Sequence, residues 1–557
     1  MLWYAAPLLA FARTIDVPSR LRCTLALVVG IPLVLAAVHL LTWWALFVAA
    51  AICCYLRFRF SEAVQEFEPW DGVAAAFTLL IASPNIVRPP LEGDSLAYHL
   101  PNAMAWVQSG SFDPTWMRYW WYPPGAEIAV AGMIAAGGLW IAGVPSLLAA
   151  MMLATRMGSW LRGLDVPPAT ATAIVVAFMT ITTVAFQTYD ERNDLVLAAW
   201  FVESLWMLRE SNWRAMLPVA VLSLIKPDGW IYAVVAIGCM GKPRAIIALI
   251  PVELWLLHVV LLAPHAQISI AATSFGSPWT TMIAGNLPAS LTVLSMALLG
   301  RGPAIVCFFL GPFVALFGSG EERRAGIAGI FAILLFAFTP FSYANNLPQL
   351  ALGTSLRFAL PALAAGAIGL APLARAASAI VGVLGVVSAV AGFVRLLFLT
   401  AGDAITPIGV ACAAIVLVAA GVAFAPNMRR VAAITATVAT LALFLFGANV
   451  ASAQVTSFYR DVLPKVAGRS TGFFAWYRAH PHDAEAININ AGMLLTLAPD
   501  SRIIDGQSVD CARAAIEGAW IVAVAGDRRL DDARRCGSVL FQDADIVVTV
   551  PNPNRAH

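Results

Sequence analysis

The chain has 557 residues, of which 60% are hydrophobic and only 12% charged, with a mean hydropathy of +0.80. Soluble globular chains carry about 25% charged residues, so the composition excludes an ordinary soluble domain and predicts a polytopic membrane protein. A net charge of +2, with no basic run, gives a nucleic-acid partner no footing.

The start, MLWYAAPLLAFAR, has neither a basic leader nor a small-residue cleavage site, and reads as a short membrane or interfacial segment. Crossing a hydrocarbon layer of about 30 Å takes about 20 apolar residues. Apolar runs of that order fall near 23–40, 42–57, 72–88, 140–160, 167–187, 195–208, 215–241, 244–263, 304–318, 325–341, 358–374, 377–398, 407–425 and 431–450. KPDG at 226–229 interrupts one run, which predicts two short helices with a break at one membrane face. The expected total is about 12 to 15 spans. Six cysteines (Cys23, Cys53, Cys54, Cys239, Cys307 and Cys412) fall in apolar runs and read as small buried hydrophobes.

Cationic residues in short loops set the expected orientation. Arg20, Arg22, Arg57, Arg59, Arg162, Arg209, Arg214, Lys242, Arg244, Arg323, Arg324, Arg375, Arg429 and Arg430 form one consistent cytoplasmic set. The segments 89–139, 188–194, 226–229, 264–303, 342–357, 399–406 and everything after 451 then face outward. In the first of these, 124–138 is apolar and Gly-rich and is expected to dip into the interface. After 451 the composition changes. RIIDG, AWIVAVAG and ADIVVTV read as short strands, and DCARAAIEG and RRLDDARRCG as helices. The expected fold is thus an all-α polytopic bundle over 1–450 and a small extracytoplasmic α/β domain over 451–557. An oxidising compartment permits a Cys511–Cys536 disulfide, two free thiols being the alternative.

The candidate chemistry lies in the outward loops. LEGDSLAYHLPNAMAWVQSG (91–110) carries Asp94, Tyr98 and His99; WMRYWWYPPGAE (116–127) adds a cluster of aromatics with Arg118 and Glu127. Asp94 reads as a general base, as a solvated loop acid, or as a cap for a helix starting near Ser95. The aromatics read as an interfacial belt or as faces for sugar rings. TYDERNDL (188–195) places Asp190, Glu191 and Asp194 beside Arg192. These acids could line the same pocket, form a solvated turn, or supply oxygens to a divalent cation; no metal motif matches their spacing. Lys226 at the KPDG break and Arg357 at the start of RFALPAL are placed for a phosphate, or else are a snorkelling lysine and an interfacial arginine. Gathered on one face, an acid, an acid cluster, two cations and aromatics suit sugar transfer from a lipid-linked phosphate.

GDSLAYHLPNAMAWVQSG followed by YPPGAE resembles the first outer loop of bacterial integral-membrane glycosyltransferases of the GT-C class, mannosyltransferase-like enzymes that use polyprenyl- or dolichyl-phosphate sugars. RNDLVLAAWF, LIKPDGW and RFALPAL resemble later landmarks of that class, so the resemblance covers roughly 90–375. It implies a polyprenyl-phosphate-sugar donor, a glycan, lipid or protein acceptor, and an inverting reaction on the outer face of the bacterial inner membrane, with Asp94 as the acid/base residue. Two features depart from it. Three apolar spans precede the Asp94 loop where the class has one, and SFGSPWTTMIAG (274–285) matches the class loop only loosely. The rivals are a transporter or flippase of lipid-linked saccharides, which would show internal repeats, and an oligosaccharide ligase using a lipid pyrophosphate.

Overall fold

The computed structural model describes residues 17–59, 68–87, 94–112, 119–211, 213–262, 304–338, 356–400, 406–457 and most of 471–552. The expected N-terminal segment, Arg118 and the 274–285 stretch lie outside the described residues. Among the described residues, six helical stretches are long and apolar enough to cross a membrane: Val17–Ala37, Leu139–Gly163, Pro243–Leu262, Leu356–Ala376, Ser378–Leu397 and Pro426–Asn449. Six shorter apolar helices accompany them, and a small α/β unit follows. The chain is a multi-pass membrane protein.

Burial sorts the spans. Leu139–Gly163 and Leu356–Ala376 are 83% and 78% buried, whereas Ser378–Leu397 and Pro426–Asn449 are only 22% and 28% buried. The first pair is apolar all round because protein surrounds it; the second stays apolar outside because lipid does. Ile380, Val383, Val387 and Val390 form an exposed stripe on one such helix. The cysteines correct an expectation by the same logic. Cys307 is exposed, and Cys23, Cys53, Cys239 and Cys412 are half-buried. In lipid an apolar side chain needs no protein cover; the Cys54 side chain lies outside the described residues.

Met216–Leu224 and Gly229–Met240 flank the KPDG break, as that sequence predicts. Segment 124–138 differs from expectation. It is a helix, Gly125–Gly137, whose first ten residues are buried. Its one charge, Glu127, is paired inside the protein, so nothing on the helix requires the interface. Helix Leu360–Gly369 lies backbone to backbone on Ala304–Ala315, because a Cβ on Gly311 or Gly366 would collide with the facing carbonyl. This contact fixes the preceding turn, Leu356–Ala359, which carries Arg357.

Ion pairs tie the helix ends on one side. Arg162 reaches Asp71 at 2.5 Å, and Arg375 reaches Glu322 at 2.7 Å and the Leu164 carbonyl at 2.8 Å. Arg22 and Arg156 share the buried Glu203 at 2.9 and 2.6 Å, and Arg209 meets Glu321 at 3.2 Å. Arg209 lies in the last turn of helix Asp194–Glu210. Asp194, which opens that helix, is about 22 Å away at 1.5 Å per residue and marks the opposite end.

The last long helix, Arg429–Ser457, precedes the α/β unit. Its strands are β1 (Ala484–Ile487), β2 (Ile503–Gly506), β3 (Trp520–Val524), β4 (Gly537–Gln542) and β5 (Ile546–Pro551), in the order β2-β1-β3-β5-β4. β2, β1 and β3 run parallel, through crossovers containing helices Ala491–Leu497 and Cys511–Glu517; β5 and β4 add antiparallel. β1 and most of β3 and β5 are buried, as a sheet covered on both faces requires, while edge strand β4 is largely exposed. Cys511 and Cys536 are joined by a disulfide against a cluster that includes Ile487, Ile521 and Val547. Closing a loop over a separation of 25 residues should stabilise the unit by about 3 kcal/mol. Alkylation of native membranes with and without reductant, followed by mass spectrometry, should label both thiols only after reduction.

Glu485 on β1 is 6% exposed, and burial pushes its carboxyl from 4.5 up to about 7. The folded state therefore holds this proton more tightly than the unfolded chain. The associated stability is complete below pH 4.5 and is lost as pH rises through about 7, an effect of about 3 kcal/mol. Glu485→Gln, which mimics the neutral acid, should match the parent near pH 4.5 and exceed it in stability at pH 8. Hydrogen-exchange protection of β1 and β3 amides in the full-length protein measures the difference.

Candidate active site

The loops expected to face outward deliver their polar residues to the Asp194 end of the bundle. After Asp94 the chain makes a π-helical turn, Ser95–His99, and then helix Leu100–Ser109, with Pro101 in its first turn. Single π turns recur at functional sites because the wide turn re-aims the side chains on it. Asp94 precedes this turn yet makes no side-chain cap, so the capping alternative fails. Its carboxylate instead accepts a hydrogen bond from the Arg357 guanidinium.

Arg357 joins two acids. One guanidinium arm meets Asp94, and Nε lies 3.5 Å from Asp194 Oδ2. Lys226 donates to Asp194 Oδ1 at 2.7 Å and lies 3.5 Å from Asp228 Oδ1. The result is one chain of alternating charge, Asp94–Arg357–Asp194–Lys226–Asp228, assembled from four separate segments. Phe358 lies under both cations, 4.6 Å from Lys226 Nζ and 4.9 Å from the Arg357 guanidinium carbon. Lys226 and Asp194 are buried, whereas the Asp94 side chain keeps 35% of its exposure. Lys226 is therefore neither snorkelling nor solvated, and Arg357, at 18%, is no ordinary interfacial arginine.

Asp190 and Glu191 buttress this chain. Ser95 Oγ donates to Asp190 Oδ1 at 2.6 Å, and the Arg192 guanidinium pairs with the same carboxylate. Ser146 Oγ holds the Asp190 carbonyl at 2.5 Å. The loop is thus a buried clasp rather than a solvated turn. Burial, then the neighbouring Asp190 charge, raises the Glu191 carboxyl well above the usual range. Its Oε2 is buried with no hydrogen-bond partner among the described residues, which suits a neutral acid. No group of three or more His, Cys, Asp or Glu that could hold a metal occurs among the described residues.

His99 and Glu127 form a separate buried pair, Nδ1 to Oε1 at 2.6 Å. Tyr98 packs on the His99 ring at 4.1 Å and meets Tyr119 edge-on at 4.9 Å; Tyr119 stacks on Tyr122 at 4.8 Å. Tyr119 holds φ +57°, which a non-glycine residue rarely adopts and which points to a shaped wall. Of the candidates from sequence, Asp94, Asp194, Lys226 and Arg357 meet directly. Asp190 and Glu191 flank them, and Tyr98, His99 and Glu127 form an adjoining wall. Sequence reasoning missed Asp228 and Phe358 as site residues. Each adjoins a chosen cation within a quoted motif, Asp228 two residues after Lys226 and Phe358 next to Arg357.

No family model and no curated protein matches the chain. Two solved structures are similar to it. ArnT from Cupriavidus metallidurans in the apo state has 16% identity and a TM-score of 0.47, with 87% of this chain and 98% of that chain covered. The same protein bound to undecaprenyl phosphate gives a TM-score of 0.44 at the same identity and coverage.

Proposed function

We propose that the chain is a GT-C-type glycosyltransferase. It moves a sugar from a polyprenyl-phosphate donor to the hydroxyl of a glycan, lipid or protein acceptor, with inversion, at the outer face of the bacterial inner membrane. The observation that carries this reading is the Asp94–Arg357–Asp194–Lys226 chain. A half-exposed carboxylate and two cations fit the two halves of such a transfer. The acceptor oxygen attacks the anomeric carbon, and its proton passes to the Asp94 carboxylate. The bond from the anomeric carbon to the phosphate oxygen breaks, and its electron pair leaves on the lipid phosphate, which Arg357 and Lys226 neutralise.

In the resting site each cation is already held by acids. A donor phosphate that takes the Arg357 fork displaces the Asp94 carboxylate from its ion pair and frees its oxygens for the acceptor hydroxyl. The aromatic wall of Tyr98, Tyr119 and Tyr122 supplies faces for the sugar ring. The outward face follows from the cationic pattern, since Arg22, Arg162, Arg209 and Arg375 mark the other end of the bundle. The 451–557 region then lies in the periplasm. Clustering of the polar groups at helix ends, with no internal repeat in the sequence, favours an enzyme over a flippase.

The test is transfer of radiolabelled sugar by purified protein in detergent from a panel of polyprenyl-phosphate sugars. Release of polyprenyl phosphate with label in the acceptor is expected. Turnover with none of the panel, but with a lipid pyrophosphate saccharide, would assign the ligase chemistry instead.

A further inference from the structure

The turn that follows Asp94 is held from two sides. From the membrane domain, Ser95 Oγ bonds Asp190 at 2.6 Å. From the C-terminal α/β unit comes helix Ala491–Leu497, the crossover between β1 and β2. Its second residue, Gly492, lies so close to Leu96 that a Cβ there would sit 2.5 Å from the Leu96 carbonyl oxygen and 2.8 Å from its Cα. Those atoms are backbone, so they cannot swing aside as a side-chain end would. Met493, Leu494 and Leu495 are buried in one continuous core with Leu96, Leu100 and Trp106. Further along, Gln108 Nε2 donates to the Ser501 carbonyl at 3.0 Å. Leu96 itself lies between Asp94 and Tyr98 in the chain and is 1% exposed.

We propose that the C-terminal α/β unit sets the position of the Asp94 turn, with Gly492 as the positioning residue through which it acts. Neither Gly492 nor its helix touches the Asp94–Arg357 pair in any contact described. It acts through Leu96, whose displacement carries Asp94 with it. A side chain at 492 would move that turn by a few tenths of an ångström to an ångström, and misplacement on this scale costs catalysis about 10²-fold. The effect on activity rests on the reading of Asp94 as the base; the mechanical coupling does not.

The experiment compares Gly492→Ala, Gly492→Val and Gln108→Ala with the parent, all full-length in detergent. Gly30→Ala, where an added Cβ meets nothing within 4 Å, is the control. Hydrogen exchange over 94–109 is expected to rise about tenfold in Gly492→Val and less in the other two, with the sheet strands unchanged. In the transfer assay, kcat should fall about 10- to 100-fold in Gly492→Val while the donor KM holds within a few-fold. Gly30→Ala should match the parent in both. Unchanged exchange over 94–109 in both Gly492 variants would overturn the proposal, as would loss of activity through donor KM alone. Should Gly492→Val fail to fold, the smaller changes in Gly492→Ala and Gln108→Ala decide. Altered exchange in a protein that transfers no sugar would leave the coupling intact and remove the enzymatic reading.

Discussion

Purified Asp94→Asn protein should still bind the donor and turn over about 10²- to 10⁴-fold more slowly, the range a positioned general base contributes. Asparagine keeps the shape and a carbonyl oxygen for Arg357 but has no oxygen basic enough to accept a proton. The site offers few substitutes. His99 is tied to Glu127 at 2.6 Å, with both side chains almost fully buried. Asp190 is engaged by Ser95 and Arg192, and Glu191 is pushed toward its neutral form. Among the described acids of the site Asp94 is the most exposed, at 35%, and it bonds a candidate phosphate ligand directly, whereas Asp228, at 28%, lies 3.5 Å from Lys226. His99→Ala should accordingly cost less than Asp94→Asn. A folded Asp94→Asn protein within a few-fold of the parent would move the chemistry to the 190–194 acids.

Neutralising Arg357 or Lys226 should cost 2–4 kcal/mol of transition-state stabilisation, roughly 30- to 1000-fold in rate, by analogy with other oxyanion donors. The two losses should differ in kind. Arg357→Ala leaves Asp94 and Asp194 facing each other without their shared cation, so donor affinity and base positioning suffer together. Lys226→Ala leaves Asp194 beside Asp228 at the deeper end of the chain. Arg357→Lys should also be impaired, because an ammonium lacks the planar bidentate fork that matches a phosphate. In a double-mutant cycle, Arg357→Ala should cost less in the Asp94→Asn background than alone, since one of its two roles is already gone. Full turnover by both alanine variants would reduce these cations to structural ion pairs.

Much of this arrangement was legible in the sequence because each piece sits beside a strong local signal. Long apolar runs announced the bundle. KPDG announced a break between two helices, and the structure has one there. The pairing itself was not legible. Nothing near Arg357 says that its partner is Asp94, 263 residues earlier, since helix packing, not local pattern, joins them. The α/β unit shows the same division. β2, β3 and β5 carry branched apolar runs and were readable, but β1 (AEAI) and β4 (GSVLFQ) were not. β1 holds a glutamate that only a covered sheet would bury, and β4 begins at Gly537, the residue that also ends the preceding helix, with no connecting loop between them. The 124–138 helix was misplaced because an apolar, glycine-rich segment looks alike in an interface and in a core.

The contact between helix Ala491–Leu497 and the Asp94 turn also has a temporal side. Gln108 and Ser501, bonded across this contact, are 393 residues apart in the chain. At ribosomal rates of about 5–20 residues per second, the first is made on the order of a minute before the second. Through that interval the membrane helices can insert and pack, but the turn has only half of its support. On the coupling proposed above, the Asp94 turn gains its second support only once helix Ala491–Leu497 has been synthesised, delivered to the same side of the membrane and folded. On the reading of Asp94 as the base, a ribosome that stalls before helix Ala491–Leu497 would leave an inserted chain whose candidate site is held from one side only.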